Sequence, residues 1–249
     1  MHEDSDDFPV FDIKELKWDT ETTETGEIHD IGIEERTIQS LGEIVAIADK
    51  HNMSVNIKEC VLMEVQIDSA HIDISFNKSI FKEKIHFKSG VFNGKLNFWV
   101  STFEEEADFS GAIFKEDIDF KDCTFHKEVN FFGTTFEKKA AFAFCDFKGE
   151  TAFNGASFKE EVDFSGSTFR KKAIYNEAIF KKAVNLSRTL FEESLEIMGS
   201  NLPDMSQKEK EQTTQFNLSH ELDKVFKKEV SRRQILRGLF RFLPEDREK

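Results

Sequence analysis

The chain has 249 residues, 34 Lys+Arg against 48 Asp+Glu for a net charge of −14, and 28 Phe beside a single Tyr; it has room for one large domain or two small ones. No run approaches the ~18 apolar residues of a membrane-spanning helix, and the opening MHEDSDD lacks the basic and apolar regions of a signal peptide, so neither an anchor nor a leader is expected. The acidity is local: residues 1–71 carry 18 acids against 5 bases, 72–202 carry 21 against 18, and 203–249 carry 9 against 11.

In chain order, residues 1–34 form an acidic arm. Its apolar Phe8, Val10, Phe11, Ile13, Leu16 and Trp18 precede a polar, turn-like Thr20–Gly26. The composition suits either a short strand pair laid on the body or a tail. Ile38, Leu41, Val45 and Ala48 recur at three and four, which predicts a capping helix over about 35–51. Residues 1–54 are thus read as arm plus cap.

From Val55 a repeat begins. Ile57, Leu62, Ile67 and Ile72 lie five apart, each preceded at two residues by Val55, Cys60, Val65 or Ala70. A four-residue step from Ile72 to Phe76 shifts the register. The aromatic positions Phe76, Phe81, Phe87, Phe92, Phe98, Phe103, Phe109 and Phe114 then alternate steps of five and six, and the alternation runs through Phe169 to Tyr175, Phe180, Phe191 and Leu202. Two residues before every other member stands a small one: Ser79, Gly90, Ser101, Ala112, Cys123, Thr134, Cys145, Ala156, Ser167, Ala178, Thr189, Ser200. A fixed 11-residue period with position-specific rules is a solenoid signature. Stacked ladder residues should lie about 4.8 Å apart, so Cys123 and Cys145 are expected in adjacent turns. Uniform six-residue steps, which a triangular β-helix requires, are absent. Recurrent Gly pairs such as Asn93-Gly94, Lys148-Gly149 and Asn154-Gly155 argue against helices.

Small, polar, large apolar, polar, polar is the motif of the pentapeptide-repeat proteins, which this stretch resembles. Ala107-Asp108-Phe109-Ser110-Gly111-Ala112-Ile113-Phe114 and Val162-Asp163-Phe164-Ser165-Gly166-Ser167-Thr168-Phe169 look like Phe-rich members. The resemblance covers residues 55–202. It implies an all-β solenoid, a right-handed quadrilateral β-helix with the large residue and its small predecessor inward. The six-residue step departs from the motif, and one side in two is expected to carry the extra residue. Two such units closing one coil would give about 22 residues per coil, within the range of solenoid periods.

No catalytic constellation stands out. His2, His29, His51, His71, His86, His126 and His220 lack metal-ligand spacing with each other or with Cys, and no phosphate-binding, dinucleotide-binding or G-x-S-x-G motif is present. Asp108, Asp119 and Asp163 share an outward slot with Asn97, Asn130 and Asn185, which reads as a preference for short polar groups. Cys123 and Cys145 read as small core residues with inert thiols. No cofactor and no metal is expected, and three such Cys suggest a reducing, cytoplasmic setting.

After Pro203 the repeat stops. Leu218, Leu222, Phe226, Leu236, Phe240 and Leu243 mark an amphipathic helix over 203–249, and Lys224 to Arg241 holds seven bases and one acid. Its candidate interaction residues are Leu222, Phe226, Arg232, Arg233, Leu236, Arg237, Phe240 and Arg241. The helix can cap the last coil, pair with a second copy in a homodimer, or lie on an anionic membrane surface; a nucleic-acid partner is not expected. The expected function is a non-enzymatic scaffold or adaptor for other proteins. The resemblance implies one alternative, a DNA-mimic topoisomerase-binding protein, against which the near-balanced charge of the repeat speaks. A membrane-peripheral scaffold is another.

Overall fold

A computed structural model describes residues 8–12 and 30–201. Each ladder residue lies beside the residue one full turn away: Leu96 pairs with Ile74 and Ile118, Phe103 with Phe81 and Phe125, Ala107 with Ile85 and Val129, Phe114 with Phe92 and Phe136. The offset between partners is 22 in every case, the same as between Ser79 and Ser101, whose backbone N–H and hydroxyl bond across adjacent turns. All pairings are parallel, so two 11-residue units close one turn of a four-sided solenoid. Eight strands stack along the first side.

The solenoid starts before Val55. Strand β1 (Ile31–Glu34) pairs with β3 (Val55–Lys58), and β2 (Thr37–Ser40) pairs with β4 (Val61–Gln66), which turns a corner and serves two sides. The remaining sides of this first turn are replaced by helix α1 (Gly42–Lys50), which buries Ile44, Val45 and Ala48 over the core. The helix predicted from residue 35 is therefore shorter than its sequence pattern. Ile38 obeys the three-residue spacing but occupies the ladder phase of Leu62 and Phe81, where its β-branched side chain suits a strand. The arm contributes a further layer: Val10 bridges Thr37, the Phe11 N–H donates to the Thr37 carbonyl at 2.8 Å, and Phe11 packs against the core.

The five-step region forms a tight second turn. Val55 and Ile74 are partners at an offset of only 19, which the neighbouring Glu59 and Lys78 share. The missing residues come out of two corners, since Val65↔Ile85 spans 20 and Ser69↔Val91 spans 22. As a consequence Ala70, read as the small member of its pair, lies beneath Phe92 on the ladder. Ile72, read as the large member, is buried in the following corner instead.

Inside, the rings form four parallel stacks. Phe109, Phe131 and Phe153 stack at centroid spacings of 4.9 and 4.7 Å with planes 4° apart. Phe81, Phe103 and Phe125 stack at 4.5 Å. Across the interior the stacks of the first and third sides meet edge to face, as Phe131 does with Phe120 at 5.8 Å and Phe142 at 5.4 Å. Both geometries are the favourable ones for aromatic quadrupoles. The uniform cross-section therefore selects Phe.

Tyr175 substitutes for Phe in one of these stacks, 4.8 Å above Phe153, and its hydroxyl is buried with no hydrogen-bond partner. An unpaired buried hydroxyl is costly. Tyr175→Phe is expected to raise the unfolding free energy by about 1 kcal/mol, read from the urea midpoint at unchanged slope. A loss of stability would mean that the hydroxyl has a partner.

The two kinds of corner explain the alternation of five and six. After one Phe the chain turns in two residues; after the next it needs three. In the tight corner the second residue has φ between +53° and +74°, at Lys78, Ser89, Val100, Gly111, Asp122, Gly133, Phe144, Gly155, Gly166, Glu177, Arg188 and Gly199, one per unit. A hydrogen bond closes it, for example Ser101 N–H to Phe98 O at 3.0 Å, which makes it a type II turn. The extra residue expected on one side in two thus lies in the open corner at the end of that side.

Candidate interaction surface

The slot between the inward residues is filled by backbone capping. Asp108, Asp119 and Asp163 each accept the backbone N–H two residues on, at 2.8–2.9 Å, and Asn97, Asn130 and Asn185 do the same at 2.8–3.0 Å. The N–H in question opens the tight turn, which a side chain of Asx length reaches; in other units the same slot holds His86, Ala141, Ala152 or Ile174. These groups serve the turn and face no reaction site.

The small residues after the tight turn have a second role. The Ser101 and Ser167 hydroxyls donate to the carbonyls of Phe76 and Phe142 in the preceding turn. Thr134 donates to Phe109 and Thr189 to Phe164 at 2.8 Å, and the Cys123 and Cys145 thiols donate to Phe98 and Phe120 at 2.9 Å. Cys145 also follows the strand pairing one turn above Cys123. Burial pushes both thiols well above their ordinary range, so the thiolate needed for reaction is suppressed. All three Cys are free and buried.

The open corners carry most of the charge, and the charges pair from turn to turn. Lys82 meets Glu104 at 3.1 Å, Lys84 meets Glu106 at 2.7 Å, Lys159 meets Glu137 at 2.6 Å and Lys139 meets Glu161 at 3.0 Å, each pair spanning one full turn. Arg170 bridges two neighbours, Asp146 at 2.7 Å and Glu192 at 3.3 Å. The Lys159 ammonium beside Glu137 holds that carboxyl below its usual range. Exposed pairs of this kind add little stability individually, but they neutralise the corners. His86 and His126 are exposed, as their slots implied. Among the described residues no group of His, Cys, Asp and Glu is arranged to hold a metal ion, and no helix is long and apolar enough to cross a membrane.

Residues 76–135 and 131–173 match the family model for pentapeptide repeats, in nine copies. These repeats belong to the pentapeptide-repeat family. No curated protein and no solved structure matches the chain. In this pentapeptide-repeat solenoid the inward pair and the tight turn follow the family motif, and every second repeat is lengthened by one residue in the open corner.

The solenoid carries a set of exposed apolar side chains at the tight corners. Trp99, Val100 and Phe144 occupy one corner column; Phe132 and Met198 occupy the opposite one. Phe132 and Phe144 are each 60 % exposed. Sequence reading passed over them, although they are the only Phe between 72 and 202 that fall outside the five-six phase. The residues singled out from sequence, Leu222, Phe226, Arg232, Arg233, Leu236, Arg237, Phe240 and Arg241, lie outside the described residues.

Proposed function

We propose that this chain is a non-enzymatic protein-binding scaffold, presenting the Trp99–Val100–Phe144 corner to a partner protein in the cytoplasm. The observation that carries this reading is Val100. A β-branched residue at φ +59° is strained, yet Val100 is 38 % exposed, unlike the fully buried ladder residues. Phe144 combines the same backbone, φ +59°, with a ring lying against Gly166 on the surface. Other turns of that column use Lys78, Asp122, Gly166 or Arg188 there. Apolar, aromatic side chains held on a stiff frame at such a cost suit recognition.

Charge supports a protein partner over DNA mimicry. A mimic needs unbroken rows of negative charge, whereas here acids alternate with the Lys and Arg that pair with them along both open corners. Micromolar protein is expected to leave topoisomerase supercoiling unchanged.

The test exploits the strain. Val100→Gly should stabilise the fold by about 1 kcal/mol, read by thermal unfolding, and at the same time lose the partner that wild type retains in affinity capture from its native host. A Val100→Gly protein that is no more stable, or that retains the same partner with equal yield alongside Phe144→Ser, contradicts the proposal.

A further inference from the structure

The two ends of the solenoid are finished differently. At the first turn α1 and residues 8–12 cover the ladders. At the last turn the ladder members Phe191 and Ile197 are only partly buried, whereas Phe169 and Tyr175, one turn earlier, are buried. Leu190 and Met198 beside them are exposed.

Backbone polarity makes the same end unsatisfied. On the first and third sides every turn donates N–H groups to the next, as Leu96 does to Asp117, Phe98 to Asp119, Val100 to Lys121, Ala107 to Glu128 and Phe109 to Asn130. The equivalent N–H groups of the last turn, on Val184, Leu186, Arg188, Leu195, Ile197 and Gly199, have no acceptor among the described residues. Such an edge invites pairing with whatever chain arrives.

The rim is acidic. Glu192, Glu193 and Glu196 pair backward with Arg170, Lys171 and Lys172 at 3.3, 2.6 and 2.8 Å. Arg170 has acids on both sides along the axis, at Asp146 and Glu192, while among the described residues these three Glu have cations on one side only. The pattern calls for positive charge beyond them.

We infer that the segment Leu218–Leu243 of the same chain seats on this end, its Leu222, Phe226, Leu236 and Phe240 over Phe191 and Ile197 and its Arg232, Arg233 and Arg237 toward the Glu192–Glu193–Glu196 corner. The chain leaves the solenoid at the open edge itself, at Asn201, and the stretch from there to Leu218 can reach roughly 50 Å when extended. That is ample to fold back. The seven bases against one acid between Lys224 and Arg241 complement that corner in sign.

Amide hydrogen exchange on the full chain tests this, with light scattering on the same samples. In the double variant Leu222→Asp/Phe226→Asp the amides of Leu186, Leu195 and Ile197 should exchange at least about tenfold faster than in wild type, while those of Phe109 and Phe131 stay unchanged. Arg232→Glu/Arg233→Glu should produce a smaller acceleration that added salt reproduces in wild type. Both should scatter as single chains, like wild type. Equal rates at Leu186, Leu195 and Ile197 in wild type and both variants would overturn the inference. So would a wild-type dimer whose end amides lose protection on dilution, which would assign the end to a second copy.

Discussion

Phe131→Ala should lower the unfolding free energy by about 3–5 kcal/mol, while Phe132→Ala, one residue on, should change it by no more than about 0.5 kcal/mol. The two side chains differ only in phase. Phe131 is fully buried, stacked between Phe109 and Phe153 and edge-on to Phe120 and Phe142. Removing it empties one rung of a stack whose neighbours are fixed by strand register above and below. The site therefore cannot collapse, and the cavity cost adds to the lost transfer free energy. Phe132 opens the tight turn and points to solvent. Urea unfolding of both variants gives the comparison directly, and similar losses would mean that the ladder phase is misassigned.

Gly94→Ala should destabilise by at least about 2 kcal/mol, by overpacking against backbone. A Cβ at Gly94 would overlap the carbonyl and the following peptide of Ile72. Gly149, at the middle of another open corner, would overlap the Lys127 carbonyl and the following peptide in the same way, so where glycine stands at the middle of an open corner the chain passes close over the backbone one turn earlier. Backbone cannot move aside as the end of a flexible side chain could. Gly133→Ala is the contrast. Gly133 has φ +63° with nothing within 4 Å of a would-be Cβ, so only left-handed strain is left, roughly 1 kcal/mol. Gly94 is not among the residues with positive φ, so a loss there no larger than at Gly133 in thermal unfolding would show that the backbone contact relaxes.

The alternation of five and six made the four sides and the length of the turn legible, because Phe tolerates only one pocket shape and repeats where that pocket repeats. Ile38 misled because a spacing of three to Leu41 satisfies a helix and also a strand followed by a corner. Ala70 and Ile72 misled because a five-residue rhythm persists while the corners beneath it shorten. The open-corner ion pairs were hidden for a different reason. Lys82 and Glu104 look like members of a mixed surface until the period brings them within 3.1 Å across one turn. The apolar corner was readable in principle: Phe132 and Phe144 break the phase, and a phase-breaking aromatic in a Phe ladder is either strained or exposed.

The stacking of two 11-residue units per turn is tested most directly by cross-linking. Gly133 N–H bonds the Asn154 carbonyl at 2.8 Å across adjacent turns, so Phe132 and Asn154 are neighbours on one corner column, within the ~4.4–6.8 Å Cα range of a disulfide. In the full chain, whose own thiols are buried, Phe132→Cys/Asn154→Cys should oxidise to a single intramolecular disulfide. Phe132→Cys/Ala143→Cys, one unit apart and on the opposite corner, should remain reduced. Closure of the second pair with the first left open would contradict the four-sided turn.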